Sequence, residues 1–327
     1  MKTLFYLKGN SFWKSQTERL KESFPDDVFV FTTDQDSAEI PDADIIVGGG
    51  VVPSALIEQA QKLKLFIVPF VGVNHLPLDM LRKKGVLVAN SHGNNNSVAE
   101  RALAMILAFY GKIITYHEDL KRGKWHGFWV GQGLEDTWES IMGKSCSIIG
   151  AGEIGKSLAG MLKSFNCSVT GFKKHRVNEV PPGYNEMVYD FFKAVEKSEI
   201  IVNILPLTRE TENIFSEEVL QRMRGKVFVN VGRGGTVDEK ALFEALRNGV
   251  LKGAAIDTWY TYPENGKTTG YPSRYPFHEL SNVVLSPHTA GFTRQASAEN
   301  IRQAFNNLES YLKSGSVINR VDVNSGY

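Results

Sequence analysis

The sequence predicts an α/β chain of two Rossmann- or flavodoxin-like domains, each a doubly wound parallel sheet, with a cleft between them. Three observations predict it. Short apolar runs alternate with amphipathic ones over residues 1–90. The alternation starts afresh at Lys144. At that restart an apolar run leads into Gly150-Ala-Gly152-Glu153-Ile154-Gly155 and then into an amphipathic run. Alternating strand and helix patterns of this kind give parallel sheets covered on both faces.

The first series places strands at Thr3–Leu7, Val28–Phe31, Asp44–Val47, Leu65–Val68 and Val86–Ala89, with helices such as Ser11–Glu22 and Ser54–Gln61 between them. From Asn95 a long helix is expected to run toward Leu120, with Ser97 and Glu100 spaced like a capping box. The stretch Lys121–Trp138 is rich in Gly and Trp without a clean period, and reads as an irregular arm suited to a subunit contact, with Trp125, Trp129 and Trp138 serving arm packing rather than a substrate box. The second series places strands at 145–149, 168–172, 199–203, 226–230, 253–257 and 283–285. Tyr260–Phe277, rich in Tyr, Pro and Gly, reads as a loop suited to setting substrate size, with Phe70 and Tyr262 narrowing the pocket. The final helix, Thr293–Lys313, is expected to return to the first domain. The domains are therefore 1–92 plus 293–327 and 93–292.

Composition excludes several classes of function. The chain has 327 residues, 42% hydrophobic and 22% charged, with a formal net charge of +1. That is ordinary globular usage, with no field calling for nucleic acid or an acidic membrane. The most apolar helical stretch, about Ala102 to Ile114, is interrupted by Gly111 and Lys112 and is too short to span a bilayer. The opening residues form a strand rather than a signal peptide. Cys146 and Cys167 fall on or beside buried strands, which makes no disulfide framework and fits a reducing, cytoplasmic setting. His75, His92 and His117 have no partners at metal-ligand spacing, so no metal is expected. Asn95-Asn-Ser97 matches a glycosylation pattern but stands at a helix start.

The glycine loop carries the clearest chemistry. Gly150 permits the tight turn, Gly152 lets the backbone approach a pyrophosphate, and Gly155 lets helix and strand pack closely. The N–H groups opening the helix face the phosphates. A dinucleotide, NADP or NAD, is the expected cofactor. After the strand ending at Phe172 come Lys173-Lys174-His175-Arg176. Lys173 stands 23 residues after Gly150, where an acid would accept from a ribose 2′-hydroxyl. The positive charges of Lys173, Lys174 and Arg176 instead favour a 2′-phosphate, hence NADP. The plainer reading is a solvated basic turn.

Four strand ends point to the reaction. An apolar strand ends at Arg233 among glycines, suited to gripping a carboxylate in two parallel hydrogen bonds. Two others end at Asp257 and His288. A turn at Val71-Gly72 offers N–H groups to an anion. These pieces, with Asn94 through Glu100, Leu205-Pro206-Leu207-Thr208, Asn230-Val-Gly-Arg233-Gly-Gly, Ala255-Ile-Asp257 and Ser286-Pro287-His288, resemble the D-isomer-specific 2-hydroxyacid dehydrogenase family over nearly the whole chain. The resemblance implies a discontinuous substrate domain and a homodimer. It implies Arg233 on the substrate carboxylate and reacting carbonyl, and His288 as proton exchanger. Val71, Gly72 and Asn94 would hold substrate, Pro206 and Thr208 would join the glycine loop at the cofactor, and Asp257 would touch its nicotinamide side.

One position departs from the family pattern. Five residues after Asp257, where most members carry a glutamate that pairs with the histidine, stands Tyr262. A neutral phenol orients His288 by hydrogen bond but supports its charged form less well. Two chemistries remain open: interconversion of a 2-hydroxyacid and its 2-ketoacid, with reduction shifted to lower pH, or a reaction needing no proton relay. The second fits the local Trp-Tyr-x-x-Pro, which resembles NAD-type formate dehydrogenases. A non-catalytic dinucleotide-binding sensor is the alternative from another class.

Overall fold

The computed structural model describes every residue except Val51, Asn265, Gly266, Ser325 and Tyr327. It divides into two compact units, Met1–Asn94 with Phe292–Tyr327, and Asn95–Gly291.

Unit 1 holds β1 (Lys2–Tyr6), α1 (Ser11–Ser23), β2 (Val28–Thr32), β3 (Ile45–Gly48), α2 (Ser54–Gln59), β4 (Leu65–Ile67), α3 (Leu78–Lys83) and β5 (Leu87–Ala89). The sheet order is β2-β1-β3-β4-β5, all parallel. Ile45-Ile46-Val47 and Leu65-Phe66-Ile67 are buried on both faces, which is why their sequence is a continuous apolar run. The chain's last helix, Arg294–Ser314, is capped by Thr293, whose side chain accepts from Ala296 N–H, and stopped by Gly315 at φ 71°. Its Ile301, Ala304, Phe305 and Leu308 pack with Phe5, Trp13, Ile45 and Leu65, closing one face of this sheet.

Unit 2 holds α4 (Asn95–Tyr110), α5 (Ile113–Lys121), β6 (Ser145–Ile149), α6 (Glu153–Lys163), β7 (Ser168–Phe172), β8 (Glu186–Val188), α7 (Phe191–Lys197), β9 (Ile200–Asn203), α8 (Glu217–Arg222), β10 (Val227–Asn230), α9 (Glu239–Arg247), β11 (Gly253–Ile256) and β12 (Val283–Leu285). The parallel sheet runs β12-β11-β10-β9-β6-β7-β8, so strand order reverses between β6 and β9. Open sheets of this kind bind ligands at the carboxyl ends of the strands beside that reversal.

Some expectations need correction. The helix expected from Asn95 toward Leu120 is two helices, because Lys112 turns left-handed at φ 48°. Ser97 lies inside the first turn rather than at a cap, since α4 already begins at Asn95. The edge strand β8 was not foreseen; its residues are only half-buried. The arm contains two single turns, Phe128–Val130 and Leu134–Asp136, and in the single chain its Trp125, Trp129 and Trp138 are exposed. The Tyr260–Phe277 stretch is irregular up to a turn at Phe277–Glu279, with Asn265 and Gly266 outside the described residues. Cys146 and Cys167 are both buried free thiols. Among the described residues no helix is long and apolar enough to cross a membrane.

Candidate functional site

The glycine loop turns where β6 ends. Gly150 has φ 103°, a region that favours glycine, and its N–H and that of Ala151 donate to Phe172 O at 3.2 and 3.0 Å. Gly152 donates to Gly150 O at 2.8 Å and caps α6. The N–H groups of Glu153 and Ile154 find no acceptor among the described residues. A Cβ on Gly155 would lie 2.6 Å from the Tyr184 hydroxyl and 3.1 Å from Gly150 O, so only glycine lets α6 sit this close. The loop thus presents open N–H donors at a helix start without side-chain cover, an arrangement that fits a dinucleotide pyrophosphate.

At the end of β7, Lys173 is partly buried and makes no ion pair among the described residues. Lys174 pairs with Glu210 at 2.6 Å, both side chains largely in water. Arg176 lies over the Tyr189 ring, 5.4 Å from its centroid. The loop after β9 is tied to itself: Thr208 N–H donates to Thr211 Oγ1 at 2.8 Å, and that hydroxyl donates to Pro206 O at 2.6 Å.

The Arg233 turn is shaped from below by amides that sequence reasoning missed. Buried Asn203 donates to Asn230 Oδ1 at 3.0 Å and to Thr236 Oγ1 at 2.8 Å. Asn230 Oδ1 accepts from Gly232 N–H at 3.1 Å, and Thr236 Oγ1 donates to Arg233 O at 2.7 Å. A buried polar network satisfied in this way holds one backbone shape. The usable signal was an amide ending each of two apolar strands. Arg233 Nη1 donates to Gly232 O at 2.7 Å. Burial lowers the pKa of Arg233, though a guanidinium remains charged.

His288 stands three residues past β12 with φ 55°, left-handed backbone in a residue with a side chain. Asp257, expected at the cofactor, is instead fully buried beneath this turn. Its carboxylate accepts from the Ser286 hydroxyl, from Thr289 N–H at 3.0 Å and from Ala290 N–H at 3.1 Å. Solvent reaches His288, yet the protein around its ring and the Arg233 charge hold its pKa below the ordinary imidazole value, against the opposing pull of Asp257. Tyr262 meets His288 ring to ring, centroids 5.3 Å apart and planes at 47°. The expected Tyr262–His288 hydrogen bond is absent among the described residues; the phenol oxygen accepts from Trp259 N–H at 3.0 Å. Partial burial raises the phenol's pKa, so it stays neutral. Unit 2 therefore brings Arg233, Tyr262, His288 and Asp257 together at the ends of β10, β11 and β12.

In unit 1, the N–H groups of Val71 and Gly72 have no acceptor among the described residues, while Val71 O accepts from Asn90 Nδ2 at 2.8 Å. Asn90 Oδ1 is 2.9 Å from His92 Nε2. The Asn94 side-chain Oδ1 is buried without a partner among the described residues. Among the described residues no group of three or more His, Cys, Asp or Glu is placed to hold a metal ion.

The family profile "D-isomer specific 2-hydroxyacid dehydrogenase, NAD binding domain" matches residues 103–290. A D-3-phosphoglycerate dehydrogenase of Methanocaldococcus jannaschii is 32% identical over 79% of this chain, which spans only 48% of that protein's length. A glyoxylate reductase of Thermofilum pendens is 30% identical over 80% of this chain and 76% of its own. The solved structure of an NADPH-dependent glyoxylate/hydroxypyruvate reductase of Sinorhizobium meliloti superposes with a TM-score of 0.81, covering 98% of both chains at 23% identity, and so shares the fold. With half the chain under one family profile and a relative of this identity spanned over most of its length, the chain belongs to the D-isomer-specific 2-hydroxyacid dehydrogenase family.

Proposed function

We propose that this chain is an NAD(P)-dependent oxidoreductase that interconverts a small 2-hydroxyacid and its 2-ketoacid, with NADP preferred over NAD. The observation that carries the reading is where two strand-end turns fall. Arg233 and His288 follow β10 and β12 at the same end of one parallel sheet, separated only by β11, near enough for the Arg233 charge to act on the imidazole, so a cationic anchor and a proton exchanger share one locality.

Gly150, Gly152, Glu153, Ile154 and Gly155 would hold the pyrophosphate, Pro206 and Thr208 would flank the cofactor, and Lys173, Lys174 and Arg176 would meet a 2′-phosphate. Lys173, unpaired among the described residues, supports the NADP preference most, and the Lys174–Glu210 pair weakens the contribution of Lys174. When bound, the nicotinamide supplies or accepts the hydride. Arg233 binds the substrate carboxylate and stabilises charge growing on the carbonyl oxygen. His288 takes the proton of the substrate hydroxyl in oxidation and returns one to that oxygen in reduction. Asp257 holds the His288 turn in place. Tyr262 packs the imidazole without adding charge. The open N–H groups of Val71 and Gly72, with Asn94, are assigned to an anionic group of the substrate.

The arm supports a homodimer, since Phe128, Trp129 and Leu134 stand 78%, 77% and 87% exposed, more apolar surface than an isolated protomer usually leaves in water. Two buried, unlinked thiols support a reducing cytoplasmic setting.

One observation favours a second reading. At the family's glutamate position a neutral phenol meets the His288 ring, which suits formate oxidation, a reaction without a relayed proton. A single panel separates the readings: glyoxylate, hydroxypyruvate, pyruvate, phenylpyruvate and formate with each cofactor, from pH 5 to 8. Turnover of a ketoacid supports the first reading and turnover of formate alone the second. Cofactor binding without any turnover indicates a sensor. Lys173→Asp should move the turnover ratio toward NAD, and an unmoved ratio rejects the NADP preference.

A further inference from the structure

Trp259 is 5% exposed and lies three residues past β11. Its contacts reach three separate segments. The backbone N–H donates to the Tyr262 phenol oxygen at 3.0 Å. The indole Nε1–H donates to Ser286 O at 2.8 Å, away from water. The backbone carbonyl lies flat against the glycine following Arg233: a Cβ on Gly234 would sit 2.2 Å from Trp259 O and 2.5 Å from its carbonyl carbon. Phe277 meets the indole edge-on at 5.8 Å, fixing the ring.

A buried indole N–H normally finds some acceptor. The choice of acceptor is what matters here. Ser286 stands two residues before His288, and its hydroxyl is already held by Asp257. Asp257 also takes the N–H groups of Thr289 and Ala290. The left-handed backbone at His288, φ 55°, is unfavourable and persists only where the surroundings over-determine it. Asp257 holds the Ser286 hydroxyl and the N–H groups just past His288, while Trp259 holds the Ser286 carbonyl at the turn's entry.

We propose that Trp259 is a positioning residue that sets Arg233, Tyr262 and His288 relative to one another, with its indole N–H bond to Ser286 holding the His288 turn. This rests on the assignment of Arg233 and His288 to the reaction, so its test includes a readout that needs no turnover. Trp259→Phe keeps an aromatic ring and loses the N–H. Replacement of the same residue by 3-benzothienylalanine keeps the full bicyclic shape and loses only the N–H. The His288 imidazole is titrated by NMR in labelled protein, with His288→Asn giving the assignment.

Released from its turn, His288 loses first its burial and then the nearby Arg233 charge, which outweigh the opposing pull of Asp257, so its titration shifts upward toward that of a free imidazole. With substrate, kcat falls roughly 3- to 10-fold, the usual worth of one neutral hydrogen bond, and KM stays within about twofold. A titration curve unchanged in a folded variant overturns the proposal. If Trp259→Phe fails to fold, the benzothienyl variant decides. Failure of the unmodified protein to turn over any acid would sink the functional reading, while the titration would still judge the role of Trp259.

Discussion

Tyr262→Glu tests the electrostatics of the site most directly. The Tyr262 ring is centred 5.3 Å from the His288 ring, so a carboxylate near that place acts on the imidazolium at about that range. At an effective dielectric constant of about 20, opposite unit charges at this separation attract by about 3 kcal/mol. Tyr262 is 46% exposed, so water screens the pair and roughly half of this survives. About 1.4 kcal/mol is a tenfold change in the imidazolium equilibrium. In the wild type, His288 titrates below its ordinary value, through partial burial first and the Arg233 charge second. Reduction of a ketoacid needs the imidazolium, so its kcat/KM should keep rising as pH falls below about 6.5. Oxidation uses the neutral ring and should stay near its maximum at neutral pH. The glutamate should move the reduction profile about one pH unit upward and raise kcat/KM near pH 7.5 by up to about tenfold. The assay is nicotinamide absorbance against pH, in both directions, for both proteins. Superimposable profiles would refute the reasoning, since they would mean that His288 does not carry the titrating proton or that its ring is beyond the reach of residue 262.

Other outcomes follow from packing and titration. Gly155→Ala should destabilise the protein by about 1–3 kcal/mol, because its Cβ would enter the space of the buried Tyr184 hydroxyl; Tyr184→Phe in the same protein should restore more than half of the loss in melting temperature, and no rescue would place the strain elsewhere. Thr258 is 1% exposed and its hydroxyl has no partner among the described residues, so Thr258→Val should be neutral or stabilise by up to about 1 kcal/mol in thermal denaturation; a clear loss would show that the hydroxyl has a partner. His126 bridges Asp119 at 2.8 Å and Asp136 at 3.0 Å, and the Asp119 bond, then the Asp136 bond, raises its pKa. Its hold on the arm is therefore complete below about pH 6.5 and is lost as pH rises through the raised value. Hydrogen exchange over residues 127–136, corrected for intrinsic rates, should accelerate across that window, and His126→Gln should remove the step.

Much of the fold was legible because parallel strands buried on both faces leave continuous apolar runs, as at Ile45-Ile46-Val47 and Val227-Phe228-Val229. β8 was not, because an edge strand with neighbours on one side needs no such run, and Glu186-Met187-Val188 has none. The break after Tyr110 was hidden as well, since apolar residues continue through Ile113 and Ile114 while the left-handed turn falls on Lys112, a residue with no sequence preference for it.

At the site, identity was readable and engagement was not. The sequence offered polar residues at or just past the ends of β10, β11 and β12, and their likeness suggested one role. The structure divides them by depth. Asn230, Asp257 and Ser286 are at most 5% exposed and bond to the turns that follow or flank them. Arg233 and His288 come two or three residues later and are reached by solvent. The division has a physical cause. A polar group at the last rung of a buried sheet must find a protein partner, and the nearest free donors and acceptors belong to the turn just beyond it. Strand-end groups are therefore committed to shaping the turn, and a side chain able to meet a ligand has to come from the turn itself. Tyr262 shows the same division: its oxygen accepts from the backbone of Trp259, and it is the ring that meets His288.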